Sequence, residues 1–345
     1  MNSEKIAAIK EDIERNPENL DNYRALADVY IQNKQFDEAY KAYQKILEMD
    51  ELDIHSLLNS GSIMFYEKNY KQSIKHYLKG IEVEPENGLL HYNLGNVYAE
   101  INDYDNALAE YKKAISLGMD NAQVYNAIGL LCSDNENYPS AKEAYLKAIK
   151  LEPYDPDYLS NYGILCQRMR NYDEAENYFK KSFEISKSAQ VALSLANLYA
   201  ETGKKELAEE YFDKTLEIRP DYYAAYVCRA LFLTDEKDFD SAIMYYKNAI
   251  ELEPKTPNAY TLLAHLLSNE KRYDEAIDIY KRTLDFTDNK TMAYVFIANA
   301  YMLNSNPKEA IKYYRLAIKQ SPDNQEIMLI YIDILSEFIE DKYNA

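Results

Sequence analysis

Apolar side chains in this chain recur at steps of three and four. Tyr125, Ile128, Gly129 and Cys132 fall at i, i+3, i+4 and i+7, which is one face of a helix. Ala141, Tyr145, Ala148 and Ile149 mark a second such face after a short polar break. The pattern predicts two amphipathic helices, A and B, joined as a hairpin. It then repeats. Aromatic rings stand at Tyr43, Tyr77, Tyr111, Tyr145, Phe179, Phe212, Tyr246, Tyr280 and Tyr314, spaced 34 residues apart with a single step of 33. Four residues before each ring is Ala or, at Ser73, Ser. Sixteen before it is Gly or Ala: Ala27, Gly61, Gly95, Gly129, Gly163, Ala196, Ala230, Ala264 and Ala298. An all-aromatic and an all-small column on one register define a nine-fold internal repeat. The small residue of helix A lets the helices approach closely, and the ring of helix B fills the space beyond. One hairpin cannot bury its own apolar stripe, so neighbours must stack.

With its 34-residue period and its small, aromatic, Ala and Pro places, the chain resembles the tetratricopeptide repeat family over residues 20–324. The resemblance implies an all-α fold, a right-handed α-solenoid or superhelix of nine helix hairpins with capping helices at both ends. The repeats are expected at 20–53, 54–87, 88–121, 122–155, 156–188, 189–222, 223–256, 257–290 and 291–324. A half-repeat cap precedes them in 1–19, and a capping helix with a tail follows in 325–345. The fifth repeat is one residue short near Ser186–Ser188, which predicts a local kink there.

Punctuation agrees with this division. Asp53, Asn87, Asn121, Asp155, Ser188, Thr256 and Asn324 stand where a side-chain oxygen caps helix A. Pro156 and Pro257 follow as first helical residues, and Pro17, Pro85, Pro153, Pro220, Pro254 and Pro322 end the preceding B helices. Ile6, Ile9 and Ile13 of the first helix should face the first full repeat. Arg229 takes a place that is usually apolar and is read as carrying its charge to the rim.

Composition changes the picture in one respect. The formal charge is −19, with a pI near 4.8, so phosphate backbones and anionic lipid are poor partners and basic or neutral ones better. Nucleic acid and membrane are therefore not expected as partners. The start of the chain carries acids and no long apolar core, unlike a signal peptide, and no window approaches a spanning helix. Three cysteines fit a reducing compartment, and cytoplasm is the expected location.

A search for chemistry finds little. There is no phosphate-binding Gly loop, HExxH or paired CxxC. His55, His76 and His91 fall near one another in the second and third repeats, but packing accounts for His91 at an aromatic place. No catalytic, cofactor or metal residue is assigned, and the chain is read as a non-enzymatic scaffold.

In the family, helix A lines a concave groove through the second, fifth, ninth, twelfth and thirteenth places of each repeat. Carried over residue by residue, the resemblance gives Leu58, Tyr92, Asn126 and further fifth-place residues, and Asn96, Leu130, Ile164, Asn197, Leu231, His265 and Asn299 at the ninth. The thirteenth gives Glu100, Asp134, Arg168, Glu201 and Asp235, and Phe65 and Tyr66 add two rings in the second repeat. The family's carboxylate clamp uses Lys, Arg and Asn at the fifth and ninth places. Only Arg24 supplies a Lys or Arg there, so the clamp is missing. Asn59, Asn93 and Asn161 are similar to the asparagine ladder of the O-linked N-acetylglucosamine transferase superhelix, broken here at Ala25, Ala127 and Ser194.

The function expected is a protein- or peptide-binding scaffold that holds an extended, basic or neutral partner segment in this groove. Two alternatives stand beside it: a repeat domain of, or accessory to, a glycosyltransferase-type enzyme whose catalytic part is elsewhere, and a self-assembling structural scaffold. In the last helix, Met328, Ile332 and Leu335 are expected to face the ninth repeat. Ile327, Tyr331, Ile334 and Phe338 would then be left for a second subunit, giving a homodimer.

Overall fold

The computed structural model describes residues 2–344, and among them every regular element is an α-helix. Two compact units divide the chain, Met1–Ser186 and Lys187–Ala345. The division falls in the short fifth repeat.

The first unit holds α1 Asn2–Arg15, α2 Leu20–Gln32, α3 Phe36–Met49, α4 Ile54–Tyr66, α5 Tyr70–Val83, α6 Gly88–Glu100, α7 Tyr104–Ser116, α8 Ala122–Asp134, α9 Tyr138–Leu151, α10 Pro156–Arg168 and α11 Tyr172–Ser186. The second holds α12 Ala189–Glu201, α13 Lys205–Ile218, α14 Tyr223–Asp235, α15 Phe239–Leu252, α16 Pro257–Asn269, α17 Tyr273–Thr283, α18 Thr291–Leu303, α19 Pro307–Gln320 and α20 Gln325–Asn344. From α2 to α18, each even-numbered helix pairs most extensively with the odd-numbered helix after it, as in α2 with α3 or α8 with α9. The result is nine hairpins. Within the first unit successive A helices from α4 onward also touch, α4 with α6, α6 with α8 and α8 with α10.

The columns seen in the sequence are the core. Ala39, Ala107, Ala141, Ala175, Ala208, Ala242, Ala276 and Ala310 are fully buried, and the rings from Tyr43 to Tyr314 almost so. A Cβ added at Gly129 would stand 2.6 Å from the Tyr145 ring, so the ring packs flat on bare backbone. Ser73 replaces Ala at its place, and its hydroxyl donates to the Gly61 carbonyl at 2.8 Å. Ile6, Ile9 and Ile13 of α1 pack against the core of the first two hairpins, as their spacing predicts.

Each A helix ends on a left-handed residue, for example Lys34, Asn102, Glu136 or Lys271. The next residue then sends its N–H back five positions: Gln35 to Tyr30, Asp103 to Tyr98 and Asn137 to Cys132, each 2.8 Å. This closes the helix end with its own backbone. In several repeats that same next residue starts helix B. Asn69, Asp103, Asn137, Asp238 and Asn306 each accept an amide N–H of the first turn. At helix A, Asp53, Asn87, Asn121, Asp155, Ser188 and Asn324 also accept amides. Thr256 does not; its hydroxyl donates to Glu253 at 2.7 Å instead. Arg229 meets the Asp213 carboxylate and lies over the Tyr245 ring, 4.6 Å from its centroid.

The last helix is turned the other way from the expectation. Ile327 is buried, and Tyr331 and Ile334 pack with it against Tyr314, Ala317 and Ile318 of α19. The exposed apolar residues of this helix include Met328, Leu329, Ile330, Ile332 and Ile339. The reason lies in the register. Ile327 holds the place of Leu90 and Val124, both fully buried. Leu90 lies against Gly80 of the preceding B helix, so that place belongs to the interface between repeats. The basis for assigning Ile327, Tyr331 and Ile334 to a second subunit is thereby removed, and the Phe338 side chain lies outside the described residues.

Candidate functional site

The A helices of the first unit enclose a cavity of about 520 Å³ that spans three repeats. Phe65 reaches it from the end of α4. Tyr92, Asn96 and Glu100, four residues apart, present one stripe of α6, and Asn126, Leu130 and Asp134 present the matching stripe of α8. Sequence reasoning named all seven. It missed Tyr104 and Tyr111 of α7, which also line the cavity.

Tyr111 matters because its hydroxyl passes through the hairpin. The ring is 2% exposed, yet the OH donates to Asn96 Oδ1 at 2.8 Å. Burial pushes the Tyr111 pKa up, helped by neighbouring Tyr92 and the Glu100 carboxylate, so the hydroxyl keeps its proton and stays a donor. Asn96 Oδ1 is thus occupied, and its NH2 group is left for the cavity. Asn126 is fixed similarly: Asn161 Nδ2 donates to its Oδ1 at 3.0 Å. Two oriented amide donors therefore face one space.

The wiring recurs. Tyr77 OH pairs with Ser62 at 3.0 Å, Tyr280 OH with His265 Nδ1 at 2.9 Å, and Tyr314 OH donates to Asn299. The corresponding pair Ile164 and Phe179 carries no such polar atoms, and Asn197, opposite Phe212, turns its amide to Cys228 Sγ at 3.8 Å. A polar ninth place opposite a Tyr was the sequence signal for this contact.

Charge is concentrated at the helix ends. Glu100 and Asp134 are the last residues of α6 and α8, where the helix dipole adds negative potential. Arg168, the last residue of α10, donates through Nη1 to Asp134 Oδ1 at 3.1 Å, Ser133 Oγ at 3.0 Å and the Ser133 carbonyl at 3.3 Å. Glu100 is exposed and makes no ion pair among the described residues.

Other groove candidates lie apart. Leu58 packs into the core beside Tyr77 and Leu90, and Tyr66, 75% exposed, stacks on Phe36 with ring centroids 5.8 Å apart. Ile164 is half-buried in α10 without reaching the cavity. Asn197, Glu201, Leu231, Asp235, His265 and Asn299 belong to the second unit and do not line it.

The histidines of the second and third repeats each have a separate neighbour. His76 bonds Tyr40 at 3.2 Å, His55 sits edge-on to Tyr43, and His91 lies between Glu110 at 2.6 Å and the Pro85 carbonyl at 3.2 Å. Among the described residues no group of three or more His, Cys, Asp or Glu is placed to hold a metal, and no helix is long and apolar enough to cross a membrane.

A tetratricopeptide repeat model matches residues 90–338, and two further repeat models match 20–51 and 61–102. The chain belongs to the tetratricopeptide repeat family. Comparison with curated proteins finds no match. Among solved structures, yeast Tom70 is similar over 99% of this chain and 93% of its own, at 16% identity and a TM-score of 0.60. The human IFIT1 dimer with PPP-AAAA is similar over 88% of this chain and 73% of its own, at 18% identity and a TM-score of 0.55. The APC/C hetero-tetramer Cut9–Hcn1 covers 92% and 62%, at 18% identity and a TM-score of 0.50. At such identities the likeness is one of fold. Family membership explains the hairpin geometry.

Proposed function

We propose that this protein is a protein-binding scaffold whose A-helix groove holds an extended partner segment at the cavity between α4, α6 and α8. The observation that carries the reading is the pair of Asn96 and Asn126. Their side-chain oxygens are occupied by Tyr111 and Asn161, so their NH2 groups are donors for the backbone carbonyls of a segment lying across both. A cavity of about 520 Å³ is large enough for a side chain of that segment. The net charge of −19 and the Glu100 carboxylate favour a basic or neutral segment over an acidic one, Asp134 being already paired with Arg168. The Cut9–Hcn1 assembly, in which a similar fold is part of a protein hetero-tetramer, is consistent with this class of function.

The test is co-purification from a cell extract with the wild-type chain and with Asn96→Ala/Asn126→Ala/Leu130→Ala, followed by mass spectrometry. At least one protein should be retained by the wild type and lost with the triple variant, more readily as salt rises. Capture that is indifferent to the three substitutions would refute the groove reading.

A further inference from the structure

The repeat itself supplies a comparison that identifies what one part of the cavity takes. Because each hairpin is a translated copy of the last, the end of α8 and the end of α6 are equivalent places. At α8, the terminal Asp134 carboxylate and the Ser133 carbonyl are both met by the guanidinium of Arg168, which occupies the thirteenth place of the following repeat. At α6 the equivalent groups are Glu100 and the Ala99 carbonyl; the bond from Arg168 to Ser133 Oγ has no counterpart there, because Ala99 carries no hydroxyl. The residue at the thirteenth place of the repeat that follows them is Asp134, which has the wrong sign. Two of the seat's three acceptors are therefore in place at α6, and among the described residues no cation fills them.

The surroundings of that seat suit a guanidinium. Tyr92 and Phe65 line the cavity, Tyr92 lying 5.9 Å from Tyr111 between ring centroids. Glu100 has no competing cation among the described residues, and the C-terminal dipole of α6 adds to its field. A planar cation that pairs with a carboxylate while stacking on a ring is a guanidinium, not an ammonium.

We propose that the cavity takes an arginine side chain of the partner segment, seated on the end of α6 against Glu100 as Arg168 is seated on α8 against Asp134. This rests on the groove reading above and names the side chain the groove selects. Arg168 then acts as an internal occupant of the neighbouring seat. Removing it opens a second arginine position one repeat along, a distance of roughly 10 Å. That is about three residues of extended chain.

The probe is a phage-displayed library of random linear dodecapeptides, selected on the full chain as wild type, Glu100→Gln and Arg168→Ala. Glu100 is exposed, so Glu100→Gln keeps the fold, and matching thermal melts verify this. The wild type should enrich peptides with arginine, in excess over lysine, at one fixed position. Glu100→Gln should still enrich binders but lose that position. The leading wild-type peptide, made synthetically, should bind Glu100→Gln about tenfold more weakly by fluorescence anisotropy. Arg168→Ala should enrich a second arginine about three residues from the first. A consensus with no fixed arginine, one fixed on lysine, or an arginine that persists on Glu100→Gln overturns this inference and leaves the groove reading standing. A library that yields no binder sensitive to Asn96→Ala/Asn126→Ala overturns both.

Discussion

Asp53 serves two elements with one carboxylate. It accepts the Ser56 amide at 2.8 Å, closing the start of α4, and it pairs with Arg24 of α2. Burial alone would raise its pKa, but hydrogen bonds from Ser56 and the charge of Arg24 hold it below the ordinary 3.8. A carboxyl with a depressed folded-state pKa contributes stability that is complete above its unfolded value and is lost as pH falls through the folded one. Replacing Asp53 by Asn keeps an acceptor at the cap and removes the charge. The urea midpoints of wild type and Asp53→Asn should therefore differ by a constant amount above about pH 5 and converge as pH drops below 3.8. A difference unchanged by acid would show that the ion pair contributes nothing. The cap was legible in the sequence from its place before helix A; the Arg24 partner was not, because the contact joins residues 29 apart on different helices. The same holds at the candidate site. Asn96, Glu100, Asn126 and Asp134 were readable from register, whereas the orientation of Asn96 depends on a buried Tyr111 hydroxyl that reads in sequence as core.

Helices were the most legible elements, because apolar spacing, Pro stops and cap residues all mark the same boundaries. Facing was less secure where a repeat lacks its second helix. In α20 the apolar residues occupy nearly the whole circumference, so periodicity alone does not choose a side. The choice is made by α19, which offers Tyr314, Ala317 and Ile318 to Ile327, Tyr331 and Ile334. That leaves Met328 and Ile332, which hold the places that contact the B helix in complete repeats, at 39% and 51% exposure. With one side packed and one open, α20 depends heavily on Ile327. Ile327→Ala should cost about 2–4 kcal/mol, but only in the local opening of this helix. Hydrogen exchange should quicken along the first turns of α20 and change little in α18. Protection that falls evenly across the second unit would contradict this account of the anchoring.

For the molecule as a whole, the repeat count follows from spacing, and the single 33-residue step lies near the boundary between the two units in sequence, where the sequence predicted only a local kink. Glu100 and Asp134, the two carboxylates that line the cavity, were also readable from the sequence. Nearest-neighbour stacking adds an energetic consequence. Ala141 is completely buried in α9, and beside it the Tyr145 ring already lies against the Gly129 backbone with no space for another carbon. Leucine at 141 must push α8 and α9 apart, an overpacking cost of roughly 1–3 kcal/mol. A globular core would spread that cost, but in a stack each hairpin touches only its neighbours. The loss of protection in Ala141→Leu should therefore be largest in α8 and α9, weaker in α7 and α10, and absent from residues 187–345. The cavity between α6 and α8 should loosen with it, so peptide selection by this variant should lose its fixed position while the second unit melts as in the wild type. Hydrogen exchange read by mass spectrometry separates the two cases directly. A uniform rise through both units would mean that the chain unfolds as one cooperative body, and that the stack is coupled far beyond the neighbouring hairpin.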